Sequence, residues 1–430
     1  MMKTIIYPEK VTWITFCKRP GTTNENLDST VKNILDDVRQ RGDKALSDYS
    51  LKFDKTIMKG IKVSEQEIRE SADKVSDDIK QAIDTAYRNI EKFHRAQLIN
   101  EEAVETMPGV ICRRKNVAIE KVGIYVPGGS APLFSTVLML VIPAKIAGCR
   151  EIIMCTPPDK DGKINPLILY SALVTGVTDI YRVGGAQAVA ALAYGTETIP
   201  RVDKIFGPGN RYVTRAKELV QAEGTAIDMP AGPSEVLVIA DKYADPGFVA
   251  ADLLAQAEHG PDSQVLMLTD DNSLPERVSA EIKKQAEQLP RKDIALSALE
   301  NSLLIVLNSL EECIDFSNEY APEHLIINTS GAAILAEKVI NAGSVFIGEY
   351  SCESAGDYAS GPNHTLPTNG FARSFSGLST DNFVKKITFQ ELSSTGIKNI
   401  GPVVQKMAEA ESLDGHKNAV TVRLKRLKND

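Results

Sequence analysis

Val122-Gly-Ile-Tyr-Val-Pro-Gly-Gly129 is the stretch whose reading decides the fold. Its first five residues read as a strand, Pro127-Gly128-Gly129 ends it, and Thr136 to Ala147 reads as a helix. The rhythm then repeats. Glu151–Cys155 is a strand and Pro166–Thr175 a helix. Ile180–Val183 runs into Gly184-Gly185 and a small-residue helix, Ala186–Tyr194. Lys204–Phe206 runs into Gly207-Pro208-Gly209-Asn210 and a helix to about Ala222. Strands alternating with helices imply a parallel sheet covered on both faces. After the proline- and glycine-rich joint Asp228–Ser234 the same rhythm restarts. Its strands are Val236–Ala240, Val265–Thr269, Leu303–Leu307, Leu325–Ile327 and Val345–Ile347. The fold class is therefore α/β, with two parallel units in succession.

Outward from these units the pattern changes. Residues 1–20 read as an irregular arm containing the only tryptophan, Trp13. From Asn24 to about Gln97 apolar residues recur at three- and four-residue steps (Val31, Ile34, Leu35, Val38; Ile79, Ile83, Ile90), which is helical spacing. His94, beside Phe93 and Arg95, reads as a surface or capping residue. From Tyr350 to about Thr380 periodicity fades, and a loop of that length inside a compact protein is usually functional; it contains Asp357 and His364. The last segment reads as a helix, Gly401–Ser412, then Asp414-Gly415-His416, then a short strand, Ala419–Leu424, with a solvated basic end.

Composition narrows the function. The 430 residues, 43% hydrophobic and 25% charged, suit a soluble globular protein with substantial cores. A net charge of −8 lacks the basic footprint that nucleic acid requires. The N-terminus has no apolar signal region, and the most apolar run, Val137 to Ala144, is too short to span a bilayer. The six cysteines form no CxxC pair or framework, so the thiols are expected reduced in a cytoplasmic protein, with Cys149 and Cys155 as small core residues and Cys112 structural.

The chemistry-bearing residues lie late in the chain. Of five histidines, His259, His324, His364 and His416 each fall at the end of an element or in a loop. Gln256 and His259 are three apart near a helix stop at Gly260-Pro261, so their side chains share one face within about 60°. Glu258-His259, Glu323-His324 and Glu411 with His416 bring carboxylates near imidazoles, the donors Zn²⁺ favours. HExxH and Cys pairs at finger spacing are both absent, so a metal site would be assembled from distant segments. Ala321-Pro322-Glu323-His324 places two proton-transfer groups side by side before a strand. Adjacent strand residues face opposite ways, so a shared target requires irregular backbone there. The glycine-bearing strand ends at 126–129, 183–185 and 206–209 sit where parallel α/β proteins bind nucleotides, although neither GxGxxG nor GxxxxGK[ST] occurs. Tight turns without a ligand remain open at this point.

Nine motifs in order resemble the histidinol dehydrogenase family over nearly the whole chain. They are Val122–Gly129, Leu138–Cys149, Val183–Ala188, Gly207–Asn210, Ala231–Val236, Gln256–Gln264, Ala321–Leu325, Gly356–His364 and His416–Val420. The resemblance implies two Rossmann-like, incomplete doubly wound units, a helical N-terminal region and a C-terminal crossover segment. It divides the chain into an arm (1–20), a domain carrying zinc and catalytic residues (21–99 plus 235–374), an NAD domain (100–234) and a dimer-crossover segment (375–430). It implies Zn²⁺ on Gln256, His259, Asp357 and His416, and NAD⁺ at Tyr125, Gln187 and Asn210. Substrate contacts are implied at Ser234, Gln256, His259, His324, Asp357, His364, Glu411 and His416, and Glu323 and His324 are implied as the proton-transfer pair. The implied reaction is the four-electron oxidation of L-histidinol to L-histidine, the last two steps of histidine biosynthesis. The implied assembly is a homodimer in which Glu411 and His416 serve the partner's site. Departures are slight: Ala255 stands where serine is common, and Ser412 follows Glu411 where glycine is usual. Two other readings stand beside this one, a relative oxidising another alcohol with NAD and a non-catalytic paralogue. The intact Glu323-His324 pair, with His364, Glu411 and His416, argues against both.

Overall fold

The computed structural model describes residues 2–20, 26–57, 60–99, 101–128, 132–230 and 232–429; Asn24, Gly129 and Ala231 of the readings above lie outside the described residues. Two parallel sheets carry the architecture. In the first, Lys121–Tyr125 lies between Glu151–Cys155 and Lys204–Phe206, with Asp179–Tyr181 and Ala226–Ile227 at the edges. Numbered along the chain within the unit, the strand order is 3-2-1-4-5. The second sheet follows the same order with Glu235–Ala240 central, then Gln264–Thr269, Leu303–Val306, His324–Asn328 and Ser344–Ile347. Helices cover both faces, which is why the central strands are buried on both sides; every residue of Glu235–Ala240 and Gln264–Thr269 is buried.

The helical N-terminal region forms Leu27–Arg41, Asp43–Tyr49, Glu65–Glu70 and Asp77–Arg95. Val31, Ile34, Leu35 and Val38 pack on Ala188, Leu192 and Val213 of the first unit. Ile83 and Ile90 pack on Leu138, Met139 and Ile142. Thus 27–95 associates largely with the first sheet.

Three readings require correction. The arm is not irregular throughout. Lys3–Ile6 is a sixth, edge strand of the second sheet, paired in parallel with Leu303–Val306, and Trp13 is buried against Phe316. His94 is fully buried rather than superficial, because it continues the Ile83–Ala86–Ile90 face of its helix. Ala419–Leu424 is not a strand but part of a helix, Asp414–Asn429, that folds back on the helix Ser394–Ala410. Its β-branched residues favour a strand locally. Packing decides otherwise: Val420 and Leu424, four apart, both press on Gly401, where a Cβ would approach their side chains to 3.0 and 2.9 Å. This hairpin lies on an antiparallel sheet that sequence spacing did not reveal, Val104–Met107 with Val110–Ala118 and Val384–Leu392.

Among the described residues no helix is long and apolar enough to cross a membrane. The six cysteines are unpaired. Cys155 and Cys313 are buried, and burial pushes the Cys149 thiol up to about 12, which removes it as a nucleophile.

Candidate active site and cofactor cleft

The two units use opposite edges of their sheets. In the first, a cleft of ≈ 1410 Å³ opens at the carboxyl ends of the strands and is lined by Tyr125, Gly128, Pro157, Gly185, Gln187 and Asn210. That is the switch point of a 3-2-1-4-5 sheet, where neighbouring crossovers leave in opposite directions and a crevice remains. Tyr125 and Gln187 are buried. The Tyr125 hydroxyl accepts the Gly185 N–H at 3.1 Å. Burial pushes the phenol up to about 12 against that bond, so it stays neutral. Asn210 caps the helix Arg211–Ala222, its Oδ1 accepting from Tyr212 N at 3.0 Å and Val213 N at 3.2 Å. The turn before it requires glycine: Gly207 has φ 125°, and a Cβ there would lie 2.1 Å from the Tyr125 carbonyl oxygen. The structure therefore brings Tyr125, Gln187 and Asn210 to one cleft.

The second group gathers at the amino ends of the other sheet, not the carboxyl ends. Glu235 and His324 begin adjacent parallel strands. The helix Pro246–Ala257 runs back against the sheet and delivers Gln256 to the same edge. His259 lies just beyond that helix, in the turn where its N–H reaches the Gln256 carbonyl at 3.3 Å. Glu323 and His324 converge because the preceding backbone is irregular: Ala321 has φ 54°, in the left-handed region, before Pro322. Glu323 Oε2 and His324 Nδ1 end 3.6 Å apart, both residues buried.

Glu235 main-chain atoms organise this pair. Its N–H donates to Glu323 Oε2 at 2.7 Å. Its carbonyl accepts from Gln256 Nε2 at 3.0 Å and faces His324 Nδ1 at 3.1 Å. A carbonyl only accepts, so His324 Nδ1 donates to it, and Nε2 is the ring nitrogen that gains or loses the second proton. That Nε2 lies 3.3 Å from Asp357 Oδ1. Burial opposes the charged ring, but Glu353, Glu323 and Asp357 outweigh it and raise the His324 pKa well above its ordinary value. Burial also raises the Glu323 carboxyl, with His324 pulling it down.

Asp357 joins a donor group with His259 and Glu353, whose ligand atoms lie within 4.8 Å of one another. Glu353 had not been singled out from sequence. Glu353 and Asp357 are four apart, a spacing that becomes a shared face only on the helix Glu353–Tyr358, which the sequence reads as loop. Glu353 is buried, its Oε2 lacks a hydrogen-bond partner, and burial pushes its carboxyl to about 8. Asp357 stays low despite burial because His324 bonds to it. Desolvation lowers the pKa of His259, whose residue surface is otherwise exposed, and of His364. His364 Nδ1 donates to the Asp357 carbonyl at 3.0 Å, and its Nε2 is 3.5 Å from Thr136 Oγ1 on the first unit. Ser234 precedes Glu235, and its carbonyl accepts the Gln264 N–H at 3.1 Å.

Glu411 and His416 stand apart. Both are exposed on the C-terminal hairpin, Glu411 at the end of one helix and His416 in the first turn of the next. The hairpin packs on the antiparallel sheet, and neither residue joins the His259–Glu353–Asp357 group of its own chain.

The model of the histidinol dehydrogenase family matches residues 17–424. This chain belongs to the histidinol dehydrogenase family. Histidinol dehydrogenase of Bacteroides thetaiotaomicron is 56% identical over 428 residues, covering 100% of both chains. That of Escherichia coli strain K12 is 53% identical over 413 residues, 95% of this chain and 94% of its own. The crystal structure of histidinol dehydrogenase from Elizabethkingia anophelis superposes with a TM-score of 0.97 at 56% identity, covering 99% of each chain. Membership of the histidinol dehydrogenase family makes the chain a dehydrogenase.

Proposed function

We propose that this chain oxidises L-histidinol to L-histidine in two successive NAD⁺-linked steps at a zinc centre, as a cytoplasmic homodimer with shared sites. The observation that carries the reading is the convergence of Glu323 and His324, through Glu235, beside the His259–Glu353–Asp357 donors. Family membership names the substrate; relatives 53–56% identical are histidinol dehydrogenases, so another alcohol is not favoured.

The donor set suits a divalent cation. Two carboxylates and an imidazole converge, and a buried carboxylate oxygen of Glu353 is left without a hydrogen-bond partner. Nitrogen and oxygen donors of this kind suit Zn²⁺. His259 and Asp357 would hold it, with Gln256 from the adjoining helix end and His416 from a partner's tail. Bound there, zinc would anchor the substrate's imidazole and amino nitrogens, lowering the entropic barrier to hydride transfer. Ser234, His364 and the partner's Glu411 would complete the substrate contacts, and Tyr125, Gln187 and Asn210 would place NAD⁺.

With its ring neutral, His324 takes the alcohol proton on Nε2, the nitrogen not engaged by Glu235, and the carboxylates that raise its proton affinity make it the stronger base. Glu323 then activates water to hydrate the aldehyde, and His324 serves again as base in the second oxidation. Burial of both side chains keeps bulk water from the aldehyde between steps. The test is stoichiometry. Protein supplied with Zn²⁺, NAD⁺ and L-histidinol is expected to form about two NADH per substrate consumed. One NADH with aldehyde release, or none, overturns the reading.

A further inference from the structure

Glu235 touches the catalytic pair only through its main chain, yet its side chain is 1% exposed and fully engaged. Arg19 grips it as a two-pronged fork, Nε to Oε1 and Nη2 to Oε2, each at 2.9 Å. The Asn369 N–H adds a third bond to Oε1 at 2.7 Å. The same guanidinium donates to the Tyr320 carbonyl at 2.8 Å and reaches that of Ala321 at 3.4 Å. It also stacks over the Tyr320 ring, 3.5 Å from the centroid. Arg19 thus holds two things at once: the start of the strand whose main chain bonds Glu323, Gln256 and His324, and the left-handed turn that aims Glu323 and His324. It is supplied by a segment anchored through the edge strand Lys3–Ile6 and the buried Trp13.

We propose that Arg19 is a positioning residue of the active site, acting through Glu235 to hold the His324 imidazole and Glu323 carboxylate in register. Only a planar fork can hold Glu235 bidentately while capping the carbonyls of 320 and 321; a lysine ammonium offers the charge without the geometry. Mispositioning by about 1 Å costs about a hundredfold in rate. A pair serving only global stability would lower the melting temperature and leave turnover per folded molecule unchanged.

The proposal rests on the dehydrogenase reading above, and its test separates the two. Arg19→Ala is expected to lower kcat about 30- to 100-fold with the KM for NAD⁺ changed less than about threefold, because the cofactor cleft lies on the other unit. Millimolar guanidinium is expected to restore at least about a tenth of the lost rate, whereas equimolar urea does not. Arg19→Lys is expected to fold and to retain a loss of about tenfold. Glu235→Gln combined with Arg19→Ala should be no worse than the more impaired single variant, the non-additivity of residues acting in one network. Unchanged kcat in Arg19→Lys, an additive double variant, or a loss that guanidinium does not rescue overturns the proposal. A second readout needs no turnover. In crystals of the metal-free, cofactor-free Arg19→Ala protein, Glu323 Oε2 and His324 Nδ1 are expected to move away from the Glu235 main chain, which they meet at 2.7 and 3.1 Å in the native chain. Unaltered distances overturn the proposal even if histidinol proves not to be the substrate.

Discussion

Lys217 and Asp228 form a buried ion pair beneath the turn that carries Asn210. The Lys217 ammonium also donates to the Gly207 carbonyl at 2.9 Å, and Asp228 accepts the N–H groups of Gly207 and Met229, each at 2.8 Å. The pair therefore satisfies the backbone of a turn that only glycine at 207 permits, beside the cleft lined by Tyr125 and Gln187. Removing one partner of such a pair leaves an uncompensated buried charge. Lys217→Met is expected to lose about 3–5 kcal/mol of stability, read from urea unfolding at neutral pH, and to weaken NAD⁺ binding. A loss below about 1 kcal/mol would place the pair in a much wetter environment than the structure shows.

Asp252 makes stability depend on pH in the opposite sense from a salt-bridged carboxylate. It lies one turn before Gln256, buried on the same helix, and burial pushes its carboxyl up to about 7. An unfolded-chain aspartate titrates near about 3.9. The folded state therefore holds the proton more tightly, and stability falls as pH rises from about 4 to about 7, the full penalty being present above that. Asp252→Asn is expected to stabilise the metal-free protein by about 2–4 kcal/mol at pH 8 and to change it little at pH 4. Melting temperatures of the two proteins across that range check it; a difference independent of pH would assign the effect to packing.

Parallel strands were legible because each is a short apolar run, closed by glycine or proline in the first unit and by Asp, Asn or Gly in the second, and because burial on both faces leaves no alternation to misread. Lys3–Ile6 was not, since its partner lies three hundred residues away and four residues carry no period of their own. The antiparallel layer failed for the same reason: Val384–Leu392 finds its register only against Val110–Ala118. Within the site, Glu323 and His324 announce themselves by adjacency. Glu353 and Arg19 do not, because a carboxylate in a Ser- and Gly-rich loop and an arginine in an arm acquire their roles only from what the fold places opposite them.

Among the described residues, the Tyr125 hydroxyl is the acceptor for the Gly185 N–H in the turn beside Gln187. Tyr125→Phe removes that acceptor and leaves the ring. The expected cost is about 1 kcal/mol, roughly a fivefold rise in the KM for NAD⁺, with kcat changed little. Because burial holds the phenol at about 12, the effect should be constant from pH 6 to 10. Steady-state kinetics at three pH values decides it; a pH-dependent effect would mean that the phenol ionises in that range.

His416 tests the shared site most directly. Its helix packs against Ser394–Ala410 and the antiparallel sheet, while His259, Glu353 and Asp357 gather at the edge of a different sheet. The outer surface of this C-terminal layer exposes Val403, Met407, Leu413 and Val422, apolar side chains that a second copy would cover. If the tail crosses over, His324→Ala and His416→Ala chains are each inactive alone but complementary when mixed. A mixed dimer has one site with both defects and one with none. Random reassociation makes half of all dimers mixed, each with one of its two sites intact, so about a quarter of native activity should return. Recovery should require subunit exchange and vanish if the two proteins are combined without it. No recovery after verified exchange would place His416 in its own chain's site and require the hairpin to swing toward His259.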